Sequence, residues 1–241
     1  MTKVLVIAAH PDDEVLGCGA TIARHSKVGD EVHVVILAEG VTSRDKVRER
    51  QQRGFELSEL AEAAHAANKI LGVNTLTLHD FPDNRLDSID LLDIVKWIED
   101  CINKLQPDII YTHHIGDVNI DHRRIHEAVV TATRPQPGQT VKTLLFFEVQ
   151  SSTEWQAPGS APAFIPNWFV DISSTLALKM EALAAYETEM RNWPHARSYE
   201  AVEHLARWRG ATIGCEAAEA FVLGRQIVSA VEKRNLHVRI K

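Results

Sequence analysis

No stretch limits the fold of this chain more than Lys3-Val4-Leu5-Val6-Ile7 followed by Ala8-Ala9-His10-Pro11-Asp12-Asp13-Glu14. The first five residues form a short apolar, β-branched run with the length of a buried strand. Gly17 and Gly19 then open a helical pattern carried by Val15, Leu16, Ile22 and Ala23. The His and its neighbouring acids therefore sit in a strand-to-helix turn at the strand's C-terminal end, where open α/β sheets place their sites. Residues 31–37 give a second strand, so the chain begins with a βαβ unit.

The alternation continues. Residues 44–71 predict a long helix, charged through Arg44, Arg48, Arg50 and Arg53 and then apolar at Leu57, Leu60, Ala64, Ala67 and Leu71, with Gly54 able to bend it. A third strand (73–78), the turn Pro82-Asp83-Asn84-Arg85, a helix with one apolar face (Leu91, Leu92, Val95, Ile98, Ile102, Leu105) and a fourth strand (108–112) follow. The fourth strand ends in a second polar cluster of His113, His114, Asp117, Asn119, Asp121 and His122. If the first and fourth strands are parallel, both clusters fall on one sheet edge. A helix over 121–133 and a strand over 144–149 complete the regular part, and Pro158, Gly159, Pro162 and Pro166 make residues 150–166 a long loop of the kind that serves as a lid. A last strand over 168–172 and helices over 174–190, 198–212 and 216–230 finish the reading. This pattern predicts an α/β, Rossmann-like, mostly parallel sheet with helices on both faces and a helical C-terminal segment, in one domain over residues 1–241.

Composition excludes some functions. A formal charge of −7 argues against a broad phosphate-binding surface and so against nucleic acid. No run of about 18 apolar residues or secretory leader is present, which predicts a cytoplasmic protein without a membrane span. Cys18, Cys101 and Cys215 match neither a disulfide framework nor a Cys-rich zinc site and read as reduced thiols, Cys18 as helix-start packing.

His10 offers a neutral imidazole and Asp13 a hard carboxylate, three residues apart in a turn that can aim both at one cation, and zinc accepts such a mixed set. Asp12 can stay off the metal and act on its water as a general base. The alternative is a capping cluster at a helix start, which does not require His, Asp, Asp and Glu together.

The segment resembles the hallmark of the PIG-L/LmbE-type zinc-dependent N-deacetylases, in which a strand ends in AHPDDE and a later H-x-D-H-like segment completes the metal site. The resemblance extends through Pro82-Asp83-Asn84, Thr112-His113 and Asp121-His122 to a His-containing segment near Pro194-His195, and it weakens in the last fifty residues. It implies Zn²⁺ held by His10, Asp13 and His122, with an open position for water. Asp121 would then orient a ligand imidazole or cap the helix, and Glu14 would be an acceptor rather than a fourth ligand. His126, four residues beyond His122, would lie behind the ligands or serve packing. His113 would lie behind the ligands or touch substrate, and Arg48, Arg53, Asp83 and Arg85 are further candidates for contact with substrate, of which His113, Arg53 and Asp83 are preferred.

One position departs from the family pattern. Asn119 stands where many relatives carry His; it can donate to an oxyanion but has no titratable proton. Asp12 or His195, on a loop, must then protonate the leaving amine. The resemblance implies removal of an N-acyl group, acetyl first among them, from an N-acetylated sugar or sugar conjugate, and leaves self-association into a homo-oligomer open. An amidase of a thiol-sugar conjugate would use the same chemistry. A dinucleotide-binding reading lacks its third Gly, since Gly17-Cys18-Gly19 is followed by Ile22, and a non-catalytic metal protein would leave Asp12 without a task.

Overall fold

Parallel pairing of the first and second strands organises the computed structural model, which describes residues 1–228. In chain order the elements are β1 (Lys3–Ala8), α1 (Asp13–Lys27), β2 (Glu31–Ala38), α2 (Gly54–Ile70), β3 (Thr75–Phe81), α3 (Leu91–Leu105) and β4 (Ile109–His113). Then come α4 (Ile120–Ala132), β5 (Thr143–Phe147), β6 (Trp168–Asp171), α5 (Leu176–Ala185), α6 (Tyr199–Ile213) and β7 (Ala218–Gln226). They build a seven-stranded sheet in the order β3-β2-β1-β4-β5-β7-β6. β1 through β5 pair in parallel, and β7 runs antiparallel to β5 and β6.

The alternation of side chains along β1 explains why helices cover both faces. Val4, Val6 and Ala8 join Val15 and Ile22 of α1, Leu60 and Ala64 of α2 and Ala182 and Leu183 of α5 in one core. Leu5 and Ile7 meet Ile94 and Ile98 of α3 and Ile125 and Val129 of α4 in the other. Each buried Val, Leu or Ile among them contributes roughly 1.5–3 kcal/mol, so a slip of one residue in β1 would forfeit both cores at once. Chain order leaves β1 in one direction towards β2 and in the other towards β4. The gap between β1 and β4 is therefore the topological switch point, where crevices form in such sheets.

Three expectations are corrected. The long helix over 44–71 is cut to α2: only Thr42–Arg44 forms a 3₁₀ turn ahead of it. Residues 45–53 carry almost no apolar side chain to bury, and their arginines reach outward to acids, Arg48 to Glu39 and Arg53 to Asp45. The helix expected over 216–230 is the strand β7 as far as the described residues go. Ala and Glu in this stretch favour a helix locally, but β5 and β6 both offer ladders, and pairing on two sides overrides propensity. Glu219 is fixed at the same time by the backbone N–H groups of Ala20 and Thr21 and by Lys179 Nζ. The helix expected over 174–190 also ends early, at Ala185. No helix among the described residues is long and apolar enough to cross a membrane.

Candidate metal centre

β1 and β4 lie side by side in register, Ile7 beside Thr112, so the turns that follow them open at the same edge. The first turn is tight. Asp12 takes φ 111°, a left-handed conformation costly for a residue with a side chain, and its carbonyl accepts from Val15 and Leu16 to start α1. Its carboxylate makes no capping bond. Gly17 lets this helix approach β5 closely, because a Cβ there would lie 2.4 Å from the Phe147 ring. Cys18 beside it is fully buried, and burial pushes its thiol well above the ordinary range, so it packs and does not react.

His10, Asp13 and His122 come together. His10 Nδ1 lies 3.2 Å, and His122 Nε2 3.1 Å, from the same Asp13 Oδ2. The opposite nitrogen of each ring faces other carboxylates. His10 Nε2 lies 3.0 Å from Asp121 Oδ2 and 3.2 Å from Asp83 Oδ1, and His122 Nδ1 lies 3.1 Å from Asp117 Oδ2. A carboxylate only accepts, so with a cation between the inner atoms the outer nitrogens would carry the hydrogens and His10 Nδ1 and His122 Nε2 would offer the lone pairs. Asp13 and His122 are each 1% exposed, yet Asp13 Oδ1 and His122 Nε2 have no hydrogen-bond partner. Buried orphan atoms of this kind are costly. One cation between two imidazoles and a carboxylate would satisfy both, and that donor set fits zinc.

The outer carboxylates are themselves held. Asp121 accepts from the Asn84 and Leu86 backbone N–H groups at 2.6 and 2.9 Å, and Asp83 from the Ser43 N–H at 3.0 Å. Asp117 accepts from Thr153 Oγ1 at 2.8 Å and from Ser152 Oγ, which ties the loop after β5 to His122. Burial alone would raise the Asp13 carboxyl, but His122 and His10 outweigh it and hold it well below the usual range. Burial likewise works against charge on the His122 ring, and Asp13 and Asp117 overcome it and lift the ring to about 9. His10 is raised in the same way against its burial by Asp121, Asp13 and Asp83.

Asp12 lies beside this set, 1% exposed, with its Oδ2 2.8 Å from Arg197 Nη1. Burial pushes its carboxyl up, and the Arg197 guanidinium pulls the other way. Glu14 points inward to Tyr186 Oη at 2.7 Å and Asn68 Nδ2 at 2.9 Å, and burial raises it to about 7.

Other sequence-predicted residues sit elsewhere. His113, expected to touch substrate, is fully buried; its Nε2 accepts from the Ala9 N–H at 2.8 Å and its ring stacks 3.9 Å from that of His122. Asp83, also expected at the substrate, instead backs His10. Arg53 is tied to Asp45 and Glu56 on the surface, Arg48 to Glu39, and Arg85 to the Asp45 and Lys46 carbonyls. Asn119 caps the start of α4 with its side-chain Oδ1, which accepts from Asp121 N at 2.8 Å. His126 bonds the His113 carbonyl and packs on Phe146. His195 Nδ1 accepts from the Arg197 N–H and its ring meets Trp155 edge-on; Arg197, two residues on, reaches Asp12. Asp117 and Arg197 were missed as site residues. Asp117 stood in the second polar cluster with a visible signal, whereas Arg197 had none.

Comparison with known proteins bears on this geometry. Residues 5–133 match the family described as PIG-L, GlcNAc-PI de-N-acetylase. The chain is 29% identical over 191 residues to an uncharacterized deacetylase, YaiS, of Escherichia coli K12, covering 77% of this chain and 90% of that protein. It is 30% identical over 201 residues to the diacetylchitobiose deacetylase of Thermococcus kodakarensis, covering 78% of this chain and 70% of the relative. Among solved structures, GalB, the 4-carboxy-2-hydroxymuconate hydratase of Pseudomonas putida KT2440, superposes with a TM-score of 0.70 at 22% identity, over 96% of this chain and all of that one. That likeness establishes a shared fold, and the fold alone does not choose a reaction.

Proposed function

The chain belongs to the PIG-L (GlcNAc-PI de-N-acetylase) family, and from that membership we propose that it is a zinc-dependent hydrolase that removes an N-acyl group, acetyl first, from an amino-sugar-containing small molecule. The observation that carries the reading is the convergence of His10 Nδ1 and His122 Nε2 on Asp13, each ring braced by carboxylates behind it, with Asp12 alongside. The names of the deacetylase relatives support the amino-sugar class.

Zinc held by His10, Asp13 and His122 would supply Lewis acidity, polarising an amide carbonyl and bringing the pKa of water down towards about 7. The remaining work falls to the chain. Asp121, Asp83 and Asp117 keep the two imidazoles in the tautomer that presents a lone pair. Asp12 takes a proton from the attacking water and returns it to the amine nitrogen as the C–N bond breaks, leaving a carboxylate and a free amine. Asn119 serves the helix start, and His195 holds the turn that carries Arg197, so neither enters this proton path.

The test is a panel of N-acetylglucosamine, N,N′-diacetylchitobiose and nucleotide-linked N-acetylated sugars, incubated with zinc-loaded protein and read for free amine and acetate. Equal release of both, lost on chelation, is expected. No amine from any member of the panel would refute the amino-sugar reading.

A further inference from the structure

Asp12 poses a problem that the ligand set does not solve. Its carboxylate adjoins the ligand Asp13 in sequence, is 1% exposed and makes no capping bond. A hard carboxylate so placed is a good zinc ligand, and if it joined the set it would fill the position that a catalytic site keeps open. Something has to hold it back.

Arg197 is placed to do this. It comes from the segment between α5 and α6, beyond the part of the chain that matches the family. Its Nη1 donates to Asp12 Oδ2 at 2.8 Å and its Nε to Ser151 Oγ at 2.6 Å, so the guanidinium is anchored at two points. The backbone behind it is fixed too: its N–H donates to His195 Nδ1 and its carbonyl accepts from the Arg191 N–H. Glu189 also pairs with the guanidinium, its Oε2 lying 3.9 Å from the same Nη1, a looser contact than that with Asp12.

We propose that Arg197 is a positioning residue that holds the Asp12 carboxylate outside the metal's ligand set and aimed as the base, using Ser151 as its anchor. The catalytic half of this inference rests on the hydrolase reading above, and the metal-binding half on the assignment of His10, Asp13 and His122 as the ligands. Removing the guanidinium frees Asp12 to bind the cation, which tightens metal binding while it spoils turnover. A purely structural role would do neither in that combination.

The experiment compares wild type with Arg197→Ala, Arg197→Lys and Ser151→Gly, the last suited to the backbone at φ 65°. Zinc affinity is measured by chelator competition, and cobalt(II) is substituted to read the ligand set from its visible absorption. Arg197→Ala should tighten zinc by about fivefold or more and shift the cobalt bands as a carboxylate takes the place of water. Arg197→Lys should return both towards wild type, and Ser151→Gly should shift them in the same direction as Arg197→Ala, by less. Turnover of N,N′-diacetylchitobiose should fall in kcat with KM little changed. An unchanged zinc affinity and cobalt spectrum in both Arg197→Ala and Ser151→Gly overturns the proposal, whatever happens to turnover. If the metal results appear as expected while wild type releases no amine from any sugar, the restraint stands and the amino-sugar reading falls.

Discussion

Asp121→Asn tests how much of the metal affinity resides outside the ligands. In the native chain Asp121 Oδ2 faces two donors, His10 Nε2 and the Asn84 N–H, while Oδ1 faces the Leu86 N–H. An amide has only one oxygen to offer. Turned towards His10 it keeps the tautomer but sets its NH₂ against the Leu86 N–H, leaving a buried donor unpaired at a cost of about 1–3 kcal/mol. Turned the other way, its NH₂ faces His10 Nε2 and the Asn84 N–H, which leaves Asp83 Oδ1, 3.2 Å away, as the remaining acceptor for the ring hydrogen and favours its shift to Nδ1, the nitrogen the cation needs. In the first arrangement His10 also exchanges a charge-assisted bond, worth about 1.5–3 kcal/mol, for a neutral one. The combined effect on zinc should be a loss of about 10–100-fold in affinity, or about 1.4–2.7 kcal/mol, the span seen when groups behind metal ligands are altered. Chelator competition at pH 7.5 measures it. Thermal unfolding of the metal-free protein should fall by about 2–4 °C for each kcal/mol lost at Leu86. A zinc affinity within threefold of wild type would refute the claim that Asp121 sets the His10 tautomer.

Three further outcomes are expected. Alanine at His10, Asp13 or His122 should abolish stoichiometric zinc after dialysis, whereas His126→Ala should keep its zinc and lose stability, since it removes the bond to the His113 carbonyl and the packing on Phe146; zinc lost from His126→Ala but kept by His10→Ala would reverse the assignment. Asp12→Asn should retain zinc and fold yet lower turnover by about two to four orders of magnitude, read by amine release; activity within a few-fold of wild type would take Asp12 out of the mechanism. In the metal-free chain the His122 ring is raised to about 9 from its ordinary 6.5. Its contribution to stability is therefore complete below about 6.5 and disappears as pH rises through about 9. Zinc must displace that proton, so apparent zinc affinity should climb with pH across the same window, by up to about tenfold per unit for each proton released. A flat affinity between pH 6.5 and 9 would contradict this.

What could be read in advance depended on sequence distance. His10, Asp12 and Asp13 were legible because one turn carries them, and His122 because, in the polar cluster after a second strand, it matches the family's second motif. The backing roles of Asp83 and Asp117 were hidden, because they depend on which way a loop folds over an imidazole and leave no periodicity. Arg197 is 185 residues from the carboxylate it binds, in a turn stabilised by its own local bonds. β7 was misread for a related reason: the Ala and Glu at its start describe a helix to their neighbours in sequence, and only β5 and β6 supply the contrary instruction.

The position of β7 has a consequence for how the protein is made. β6 emerges from the ribosome well before β7, but among the described residues its only ladder is with β7, and β5 has β4 on one side alone until β7 arrives. A nascent chain that stops short of Ala218 thus carries all the proposed zinc donors on a sheet whose edge is open and whose outermost strand lacks its ladder. Such an edge is a template for pairing with other chains. Premature termination in this gene would be expected to yield aggregates rather than a smaller working protein, even though the missing residues include none of the proposed ligands.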